Sequence, residues 1–302
     1  MPATGKMGPV PSRRSDDLAP AVVRADGDHG RAELVADPAQ RMAWTLLVDG
    51  TSQSYVDLAD PTHLEFEYVR RIGHLLDALE PPPPAPLHVL HLGGGAWTLP
   101  RYAAATRPRS VQRVVELDGA LVELVRTRLP ADGLGLDVHV DDARAALAAV
   151  LPGTQDAVVL DVFAGARTPA HLTSVEFLTE VARVLRPDGV YVANLADGVG
   201  GSGGSARRPL DFARAQTATA AAVFDEVAVV AAPDVLRLRR FGNLVLAATR
   251  GALPLTEVAR RVAGDSFPAR VLPGSRFARG AVPVVDATAA PSPLPPPGRF
   301  GR

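Results

Sequence analysis

The sequence predicts an α/β fold in which helices cover a largely parallel β-sheet. A strand-like run at residues 87–92 leads through three glycines into a helix-like segment at 99–105. Strand-like and helix-like runs then alternate from residue 87 to residue 248. Successive strand-like runs end in glycines or acidic residues, and ligands in such sheets bind at the carboxyl ends of the strands. Together these three observations are typical of a Rossmann-like sheet.

Composition restricts the function classes. Hydrophobic residues make up 47% of the 302 residues, and the formal net charge is −1. A near-neutral chain is not expected to bind nucleic acid or an anionic membrane surface. Cysteine is absent, which excludes disulfides and thiolate metal sites, and the seven histidines show no metal-binding spacing. No apolar run is long enough to span a membrane and residues 1–30 lack a signal-peptide core, so we expect a cytoplasmic protein without a metal.

The first 62 residues divide into two parts. Residues 1–30 are rich in Pro, Gly, Asp and Arg without hydrophobic periodicity, and we expect them to be disordered. Residues 31–62 are expected to form a small β-domain. Its two strand-like runs, 41–48 and 51–58, flank Asp49-Gly50. An Asp-Gly pair between such runs predicts a β-hairpin.

A helix and a glycine turn follow the hairpin. Residues 63–79 carry apolar side chains at spacings of three and four, which predicts an amphipathic helix. Further on, Gly93, Gly94 and Gly95 stand between a strand and a helix. Glycine lets a ligand approach the backbone closely, and a helix N-terminus presents free N–H groups. Alternatively, the glycines form only a tight turn between the two elements.

The second strand ends in an acidic residue. The strand-like run 114–118 contains Glu116 and ends in Asp118. Glu116 lies about 20 residues after the glycines, at the tip of the strand, where a carboxylate is placed to accept hydrogen bonds from ribose hydroxyls. The alternative is that Glu116 and Asp118 act as favourable charges at the start of the helix 120–129.

The third and fourth strands end in aspartates as well. Residues 136–140 lead into Asp141-Asp142-Ala143, and residues 156–160 lead into Asp161. Packing alone hardly explains acids at the ends of successive strands, so we predict a ligand site at this edge of the sheet. For Asp161, the alternative is a cap or turn acid for residues 163–167.

The remaining chain completes the sheet. It contains a helix at 172–185, a turn at 186–189, a strand at 190–195, a helix at 210–223, strands at 226–231 and 243–248, and a helix at 256–263. The Gly/Ser-rich segment 198–205 is either a lid over the strand ends or a flexible connector. We assign residues 63–265 to one Rossmann-like domain and residues 266–302 to an irregular, Pro-rich tail.

Several motifs together resemble the spermidine synthases, the polyamine aminopropyltransferase family. Val48-Asp49-Gly50 with Gln53 is similar to the family's Leu-Asp-Gly-x-x-Gln hairpin. Glu65-Phe66 and Tyr68 resemble the start of its Asp-Glu-Phe-x-Tyr-His-Glu helix, and residues 92–95 match its glycine turn. The resemblance runs from residue 32 to residue 248. It implies a seven-stranded class I methyltransferase-type sheet, in the order 3-2-1-4-5-7-6, preceded by the small β-hairpin domain.

The resemblance also implies roles for individual residues. The donor, S-adenosylmethionine or decarboxylated S-adenosylmethionine, would be bound by Gly93, Gly94, Gly95, Glu116, Asp142 and Ala143. Glu116 would hold the ribose and Asp142 the adenine amino group. Asp161 would take the amine proton, while Gln53 and Tyr68 would close the acceptor side, although Tyr68 also fits a core position. The implied partners are a small-molecule amine and further copies of the chain, in a homodimer or homotetramer.

The sequence departs from the family pattern mainly at acidic positions. The glycine turn continues Ala96-Trp97 where the family has Asp-Gly, Ala164 replaces the second acid of the loop after strand four, and Val69-Arg70 replaces His-Glu. Burying an unpaired ammonium costs several kcal/mol, so a cationic amine needs anionic partners. These departures argue against putrescine as the acceptor, and Arg70 would repel a cation if it pointed into the site.

Three functions remain open from the sequence. The first is aminopropyl transfer to an amine, with Asp161 as the base. The second is methyl or 3-amino-3-carboxypropyl transfer from full S-adenosylmethionine, because Ala96 removes a carboxylate that would repel the carboxylate of that donor. The third is a non-catalytic nucleoside-binding protein.

Overall fold

The computed structural model describes residues 22–27, 29–200 and 208–296, which form two β-sheets with covering helices. The N-terminal sheet is antiparallel and follows chain order. Its strands are β1 (Val22–Gly27), β2 (Gly30–Ala36), β3 (Ala43–Val48) and β4 (Thr51–Asp57). The predicted hairpin is confirmed between β3 and β4. Asp49 and Gly50 connect these strands with φ angles of 48° and 75°, the combination that a two-residue type I′ turn requires.

The expectation that residues 1–30 are disordered is wrong for β1. This strand pairs with β2 along its whole length, from Val22 opposite Val35 to Gly27 opposite Gly30. Its side chains alternate between exposed and half-buried positions. The strand is therefore ordered by backbone pairing with β2 and carries no strong hydrophobic pattern of its own. Residues 1–21 and 28 lie outside the described residues.

The second sheet and its helices occupy the rest of the chain. Its strands are β5 (His88–Leu92), β6 (Val111–Glu116), β7 (Leu136–Val140), β8 (Gln155–Leu160), β9 (Leu185–Gly198), β10 (Glu226–Ala231), β11 (Phe241–Thr249) and β12 (Arg270–Pro273). The helices are α1 (Glu67–Ala78), α2 (Thr98–Thr106), α3 (Gly119–Arg128), α4 (Ala143–Leu147), α5 (Val175–Val184), α6 (Asp211–Ala221), α7 (Pro233–Leu236), α8 (Leu255–Ala263) and α9 (Gly274–Phe277).

The strand order of the second sheet is β12-β10-β11-β9-β8-β5-β6-β7. If β5 is counted as the first strand, the order is 3-2-1-4-5-7-6, with β12 added beyond the sixth strand. The first five strands pair in parallel, and the seventh, β11, is antiparallel to both neighbours. The predicted class I methyltransferase-type sheet is therefore confirmed, and β12 is an addition to it.

Two segments differ from the expectation. Strand β9 begins at Leu185, so the predicted turn at 186–189 lies within the strand, where the pairing with β8 shifts register before Val190. Residues 266–302 are not wholly irregular, because β12 pairs antiparallel with β10 and leads into α9. Of the Gly/Ser-rich segment 198–205, residues 201–205 lie outside the described residues, as do residues 206–207 and 297–302.

Apolar clusters fix both faces of the second sheet. On one face Ile72 and Leu75 of α1 belong to a buried cluster with strand residues such as Val159. On the other face a second cluster includes α5 and α6. A third cluster joins the N-terminal sheet to Trp97 and to α3, so that sheet is anchored beside the glycine turn. Among the described helices, none is long and apolar enough to cross a bilayer.

Candidate active site

A cavity lies where the carboxyl ends of β5, β6, β7 and β8 meet the N-terminal sheet. The described residues that line it include all nine that the sequence singled out: Gln53, Tyr68, Gly93, Gly94, Gly95, Glu116, Asp142, Ala143 and Asp161. They belong to separate strands, loops and helices, both in the N-terminal sheet and in the part of the chain that forms the second sheet. The fold therefore brings these positions together at one site.

The glycine turn is shaped by its neighbours in the fold. Gly93 and Gly95 have φ angles of 91° and 51°, in the left-handed region that favours glycine. A Cβ on Gly93 would lie 2.2 Å from the backbone oxygen of Asp161, and one on Gly95 would lie 2.6 Å from Ser54 Oγ. The tight-turn interpretation thus accounts for these two glycines, whatever the cavity binds.

The Glu116 carboxylate reaches from the end of β6 to the glycine turn. Its Oε2 accepts hydrogen bonds from the N–H groups of Gly94 at 2.9 Å and Gly95 at 3.3 Å, and its Oε1 accepts one from Asp118 N–H at 3.1 Å. Asp118, rather than Glu116, caps α3. A carboxylate has about four lone-pair sites, so Glu116 can still accept hydrogen bonds from a ligand.

Asp142 caps α4 and also binds a histidine. Its Oδ1 accepts from Arg144 N–H at 2.9 Å and Ala145 N–H at 3.0 Å, and its Oδ2 lies 2.8 Å from His171 Nε2. Burial alone would raise the pKa of Asp142, but the hydrogen bonds from Ala145, His171 and Arg144 outweigh it and lower the pKa. Asp142 is therefore an ionised acceptor at neutral pH, beside the buried Ala143.

The Asp161 carboxylate is half-buried immediately after β8. Its Oδ1 accepts a hydrogen bond from the Asn194 amide at 2.9 Å, and Asn194 is itself held by Asn243 at 2.9 Å. Desolvation raises the pKa of Asp161 to about 6, although hydrogen bonds from Asn194 and the Tyr68 hydroxyl favour the ionised form. The nearby charge of Glu116 adds a smaller upward effect. Such a carboxylate can take up a proton near neutral pH.

The structure does not support the alternative that Asp161 is a cap or turn acid, but it does support a core position for Tyr68. Residues 163–167 form a turn closed by backbone hydrogen bonds between Ala164 and Arg167, and the described partners of the Asp161 side chain lie elsewhere. Tyr68 does pack against the core and stacks on Phe66 with ring centroids 6.3 Å apart. Its hydroxyl nevertheless hydrogen-bonds to Asp161, so the residue belongs to both the core and the cavity.

Gln53 reaches the cavity because β4 is irregular at this position. Ser52 pairs with Leu47 and Ser54 pairs with Leu46, which leaves Gln53 without a partner on β3. An extra residue of this kind is a β-bulge, which bends a strand and redirects a side chain. The bulge places Gln53 among the residues that line the cavity.

The departures from the family pattern fall into two groups. Ala96 is fully buried with Trp97 in the apolar cluster under the N-terminal sheet, and it is not among the described cavity residues. The expectation that Ala96 lies beside the donor is therefore wrong, because the position packs into the core. Arg70 binds Asp265 at 2.9 and 3.0 Å and is also not among those residues. Val69 and Ala164, by contrast, line the cavity.

Sequence reasoning assigned no role to three polar residues of this region. Asn194 lies near the carboxyl end of β9, a position that could have indicated its contact with Asp161. His171 and His91 carry no comparable signal. His171 contacts Asp142 from a short 3₁₀ turn, and His91 Nε2 lies 2.9 Å from Gln112 Oε1 on the neighbouring strand.

Comparison with known proteins assigns a family to this arrangement. Residues 65–197 match the model of the spermine/spermidine synthase domain. The chain is 33% identical to a probable spermidine synthase from Corynebacterium glutamicum of known crystal structure, with a TM-score of 0.78. That comparison covers 88% of this chain and 96% of the other. The chain belongs to the spermidine synthase family.

Curated relatives in the spermidine synthase family match a shorter part of the chain. A polyamine aminopropyltransferase from Chromobacterium violaceum is 30% identical over 48% of this chain and 54% of the relative. Another from Vibrio vulnificus is 35% identical over 43% of each. The chain thus spans about half the length of the curated relatives it matches. The spermidine synthase of Thermotoga maritima shares the fold, with 18% identity and a TM-score of 0.56 over 81% of this chain and 78% of that one.

Proposed function

We propose that this member of the spermidine synthase family transfers the aminopropyl group of decarboxylated S-adenosylmethionine to an amine, with Asp161 as the base. The observation that carries the proposal is the Asp161 carboxylate, which lines the cavity, is held by Asn194 and Tyr68, and has a pKa of about 6. A general base is most effective when its pKa is near the working pH. The similarity to polyamine aminopropyltransferases supports the same class of reaction.

The donor nucleoside would occupy the half of the cavity at the ends of β6 and β7. Glu116 would accept hydrogen bonds from the ribose hydroxyls, and Asp142 would accept from the adenine amino group. The N–H groups of Gly94 and Gly95 are already bound by Glu116, and that of Ala96 is bound by Ser54. The turn would therefore support the donor in two ways: it holds the Glu116 carboxylate, and its glycines let the donor approach the backbone closely.

The reaction is a nucleophilic substitution at the carbon next to the sulfonium. A neutral amine nitrogen forms the new C–N bond while the C–S bond breaks, and the electron pair of that bond stays on sulfur. The products are an ammonium and neutral methylthioadenosine. Before the attack, Asp161 takes the proton that the amine carries in water, and it later releases this proton to the solvent; its position is held by Asn194 and Tyr68. Positioning the two reactants in one cavity supplies much of the acceleration.

The charge of the lining favours the decarboxylated donor over full S-adenosylmethionine. Full S-adenosylmethionine carries a carboxylate, which needs a cationic or hydrogen-bonding partner when it is taken out of water. Among the described residues that line the cavity there is no arginine or lysine. Because Ala96 is buried in the core, the absence of an acid at this position no longer indicates that the carboxylate of full S-adenosylmethionine fits beside the glycine turn.

Removing either nucleoside-binding carboxylate is expected to weaken the binding of methylthioadenosine. The loss of a charged hydrogen-bond partner costs about 1.5–3 kcal/mol, or roughly 10- to 150-fold in Kd. Calorimetric titration of the wild type, Glu116→Ala and Asp142→Ala measures the effect. Thermal melts accompany the titrations, because both carboxylates also accept backbone N–H groups.

Asp137→Ala is the matched control for these two variants. Asp137 lies on β7 with its side chain 53% exposed, pairs with Arg113 and His139, and is not among the described cavity residues. The Kd of methylthioadenosine for Asp137→Ala is expected to stay within about twofold of the wild-type value. Unchanged affinity in both Glu116→Ala and Asp142→Ala, or a wild type that binds no methylthioadenosine, would contradict the proposal.

A further inference from the structure

Beside Asp161 the cavity is lined mainly by apolar side chains, together with the polar Gln53, Tyr68 and His91. We define the acceptor wall as Val69 of α1, His91 of β5, Leu99 and Pro100 of α2, Val159 of β8 and Ala164 of the loop after β8. Val159 lies two positions before Asp161, on the same face of β8, and pairs with His91. Val69 directly follows Tyr68, whose hydroxyl bonds to Asp161. The acceptor wall is therefore continuous with the proposed base.

His91 brings no charge to the acceptor wall. The Gln112 amide nitrogen donates to the Pro100 carbonyl at 3.0 Å, which leaves its Oε1 to accept from His91 Nε2–H at 2.9 Å. This network assigns the hydrogen to Nε2 of a neutral ring. Burial lowers the pKa of His91 to about 4, with a smaller opposing effect of the bond to Gln112. At neutral pH the imidazole can form hydrogen bonds, but it can neither repel nor neutralise a cation.

The other acids near this region are engaged elsewhere. Asp265 is held by Arg70 at 2.9 Å and by His74 at 2.6 Å, and it is not among the described cavity residues. The remaining acids of the lining lie at the ends of β6 and β7 or directly after them: Glu116, Asp118, Asp141 and Asp142. Within the described acceptor half, Asp161 is thus the single acidic side chain.

We propose that the acceptor is a primary monoamine: one positive charge at the attacking nitrogen and an uncharged, mainly apolar body against the acceptor wall. This inference rests on the proposed aminopropyl transfer and names its acceptor class. Asp161 matches one ammonium and takes its proton. An α,ω-diamine carries a second ammonium. This group would be transferred from water to a place among apolar side chains where it has no anionic partner, which is unfavourable. A hydrocarbon body gains free energy from the same burial.

The test compares acceptors that differ by one amino group. n-Butylamine and putrescine share one carbon chain length, and n-pentylamine and cadaverine share another. With decarboxylated S-adenosylmethionine as donor, methylthioadenosine release gives kcat/KM for each amine, and mass spectrometry identifies the aminopropylated product. We expect the monoamine of each pair to be favoured by about tenfold or more. Equal values within each pair, or a preference for the diamines, would overturn the inference.

A charge placed in the acceptor wall is expected to change this selectivity. Ala164 is exposed at the cavity, so Ala164→Asp adds a carboxylate without disturbing the core. It is expected to raise kcat/KM for putrescine relative to n-butylamine by about tenfold. Ala164→Asn is the matched control, because asparagine has nearly the same size without the charge, and the ratio is expected to stay within about twofold of the wild type. Equal shifts in both variants would overturn the electrostatic basis of the inference.

The outcomes separate this inference from the proposed function. Calorimetry with methylthioadenosine is done first on the wild type. If methylthioadenosine does not bind, or if no amine accepts the aminopropyl group, the proposed function fails and the acceptor class fails with it. If methylthioadenosine binds and the diamines react faster, aminopropyl transfer stands and the acceptor class alone is overturned.

Discussion

The Asp161→Asn variant is expected to lose about 10²–10⁴-fold in kcat, the usual contribution of a general base. Asparagine has the shape of aspartate and keeps an oxygen that can accept from Asn194, but it cannot take up the amine proton. The Kd of methylthioadenosine is expected to stay close to the wild-type value, since Asp161 lies outside the half of the cavity proposed to bind the nucleoside. Steady-state release of methylthioadenosine and calorimetry measure the two quantities. A variant that retains wild-type kcat would contradict the role of Asp161.

The same variant is expected to be more stable than the wild type at pH 8. The folded-state pKa of Asp161 is about 6, above the ordinary value of 3.8, so the folded protein binds this proton more tightly than the unfolded chain. The stabilisation from this group is present below about pH 4 and is lost as the pH rises through 6. At pH 8 Asp161→Asn should therefore gain about 1–3 kcal/mol in free energy of unfolding. Urea denaturation at pH 4.5 and pH 8 checks the sign.

The pH dependence of the rate gives a second check on Asp161. The base must be ionised, so wild-type kcat/KM for the donor is expected to rise about tenfold per pH unit below 6 and to level off above it. Asp161→Asn should show no step in this range. A wild-type profile without the step near pH 6, or the same step in the variant, would assign the titration to another group.

Gly93→Ala is expected to cost about 2–5 kcal/mol of the free energy of unfolding, from left-handed backbone strain and steric overlap together. Gly93 has a φ of 91°, and a Cβ there would lie 2.2 Å from the backbone oxygen of Asp161 and 3.2 Å from Val162 Cγ2. The overlap would push the ends of β5 and β8 apart, which displaces Asp161 from its partners. Urea denaturation measures the stability, and calorimetry measures the affinity for methylthioadenosine.

Gly153→Ala isolates the backbone contribution to this effect. Gly153 has a positive φ of 65°, but a Cβ there meets nothing within 4 Å. Its cost is expected to be about 1–2 kcal/mol, with no change in ligand affinity, because Gly153 is not among the described cavity residues. If Gly93→Ala is no more destabilising than Gly153→Ala, the close packing of the glycine turn against Asp161 is contradicted.

The main sheet could be predicted from the sequence because its strands are buried and its helices amphipathic. The run 226–231 and β10 have the same bounds, and every residue of this strand after Glu226 is buried. Strands β1 and β12 could not be predicted in the same way. β1 has no buried positions, and β12 has four residues and ends in Pro273. Both are ordered by pairing with a neighbouring strand, and a hydrophobic pattern does not report such pairing.

The site could be predicted where position along a strand determines it. The sequence predicts Glu116, Asp142 and Asp161 because each lies at the end of a strand or directly after it, and the structure places all three around one cavity. The direction of Ala96 could not be predicted, since a turn residue has no periodicity that assigns it to the core or the cavity. The contact of His171 with Asp142 joins residues 29 positions apart, and only the packed fold brings them together.

The most direct test of the proposed function is the conversion of donor and amine into equal amounts of two products. The wild type is mixed with decarboxylated S-adenosylmethionine and n-butylamine, and methylthioadenosine and N-aminopropylbutylamine are quantified by mass spectrometry. We predict that the two products appear in equal amounts, that neither forms without the amine, and that full S-adenosylmethionine yields no methylated amine. Methyl transfer from full S-adenosylmethionine, or no methylthioadenosine release with any amine although the nucleoside binds, would contradict aminopropyl transfer.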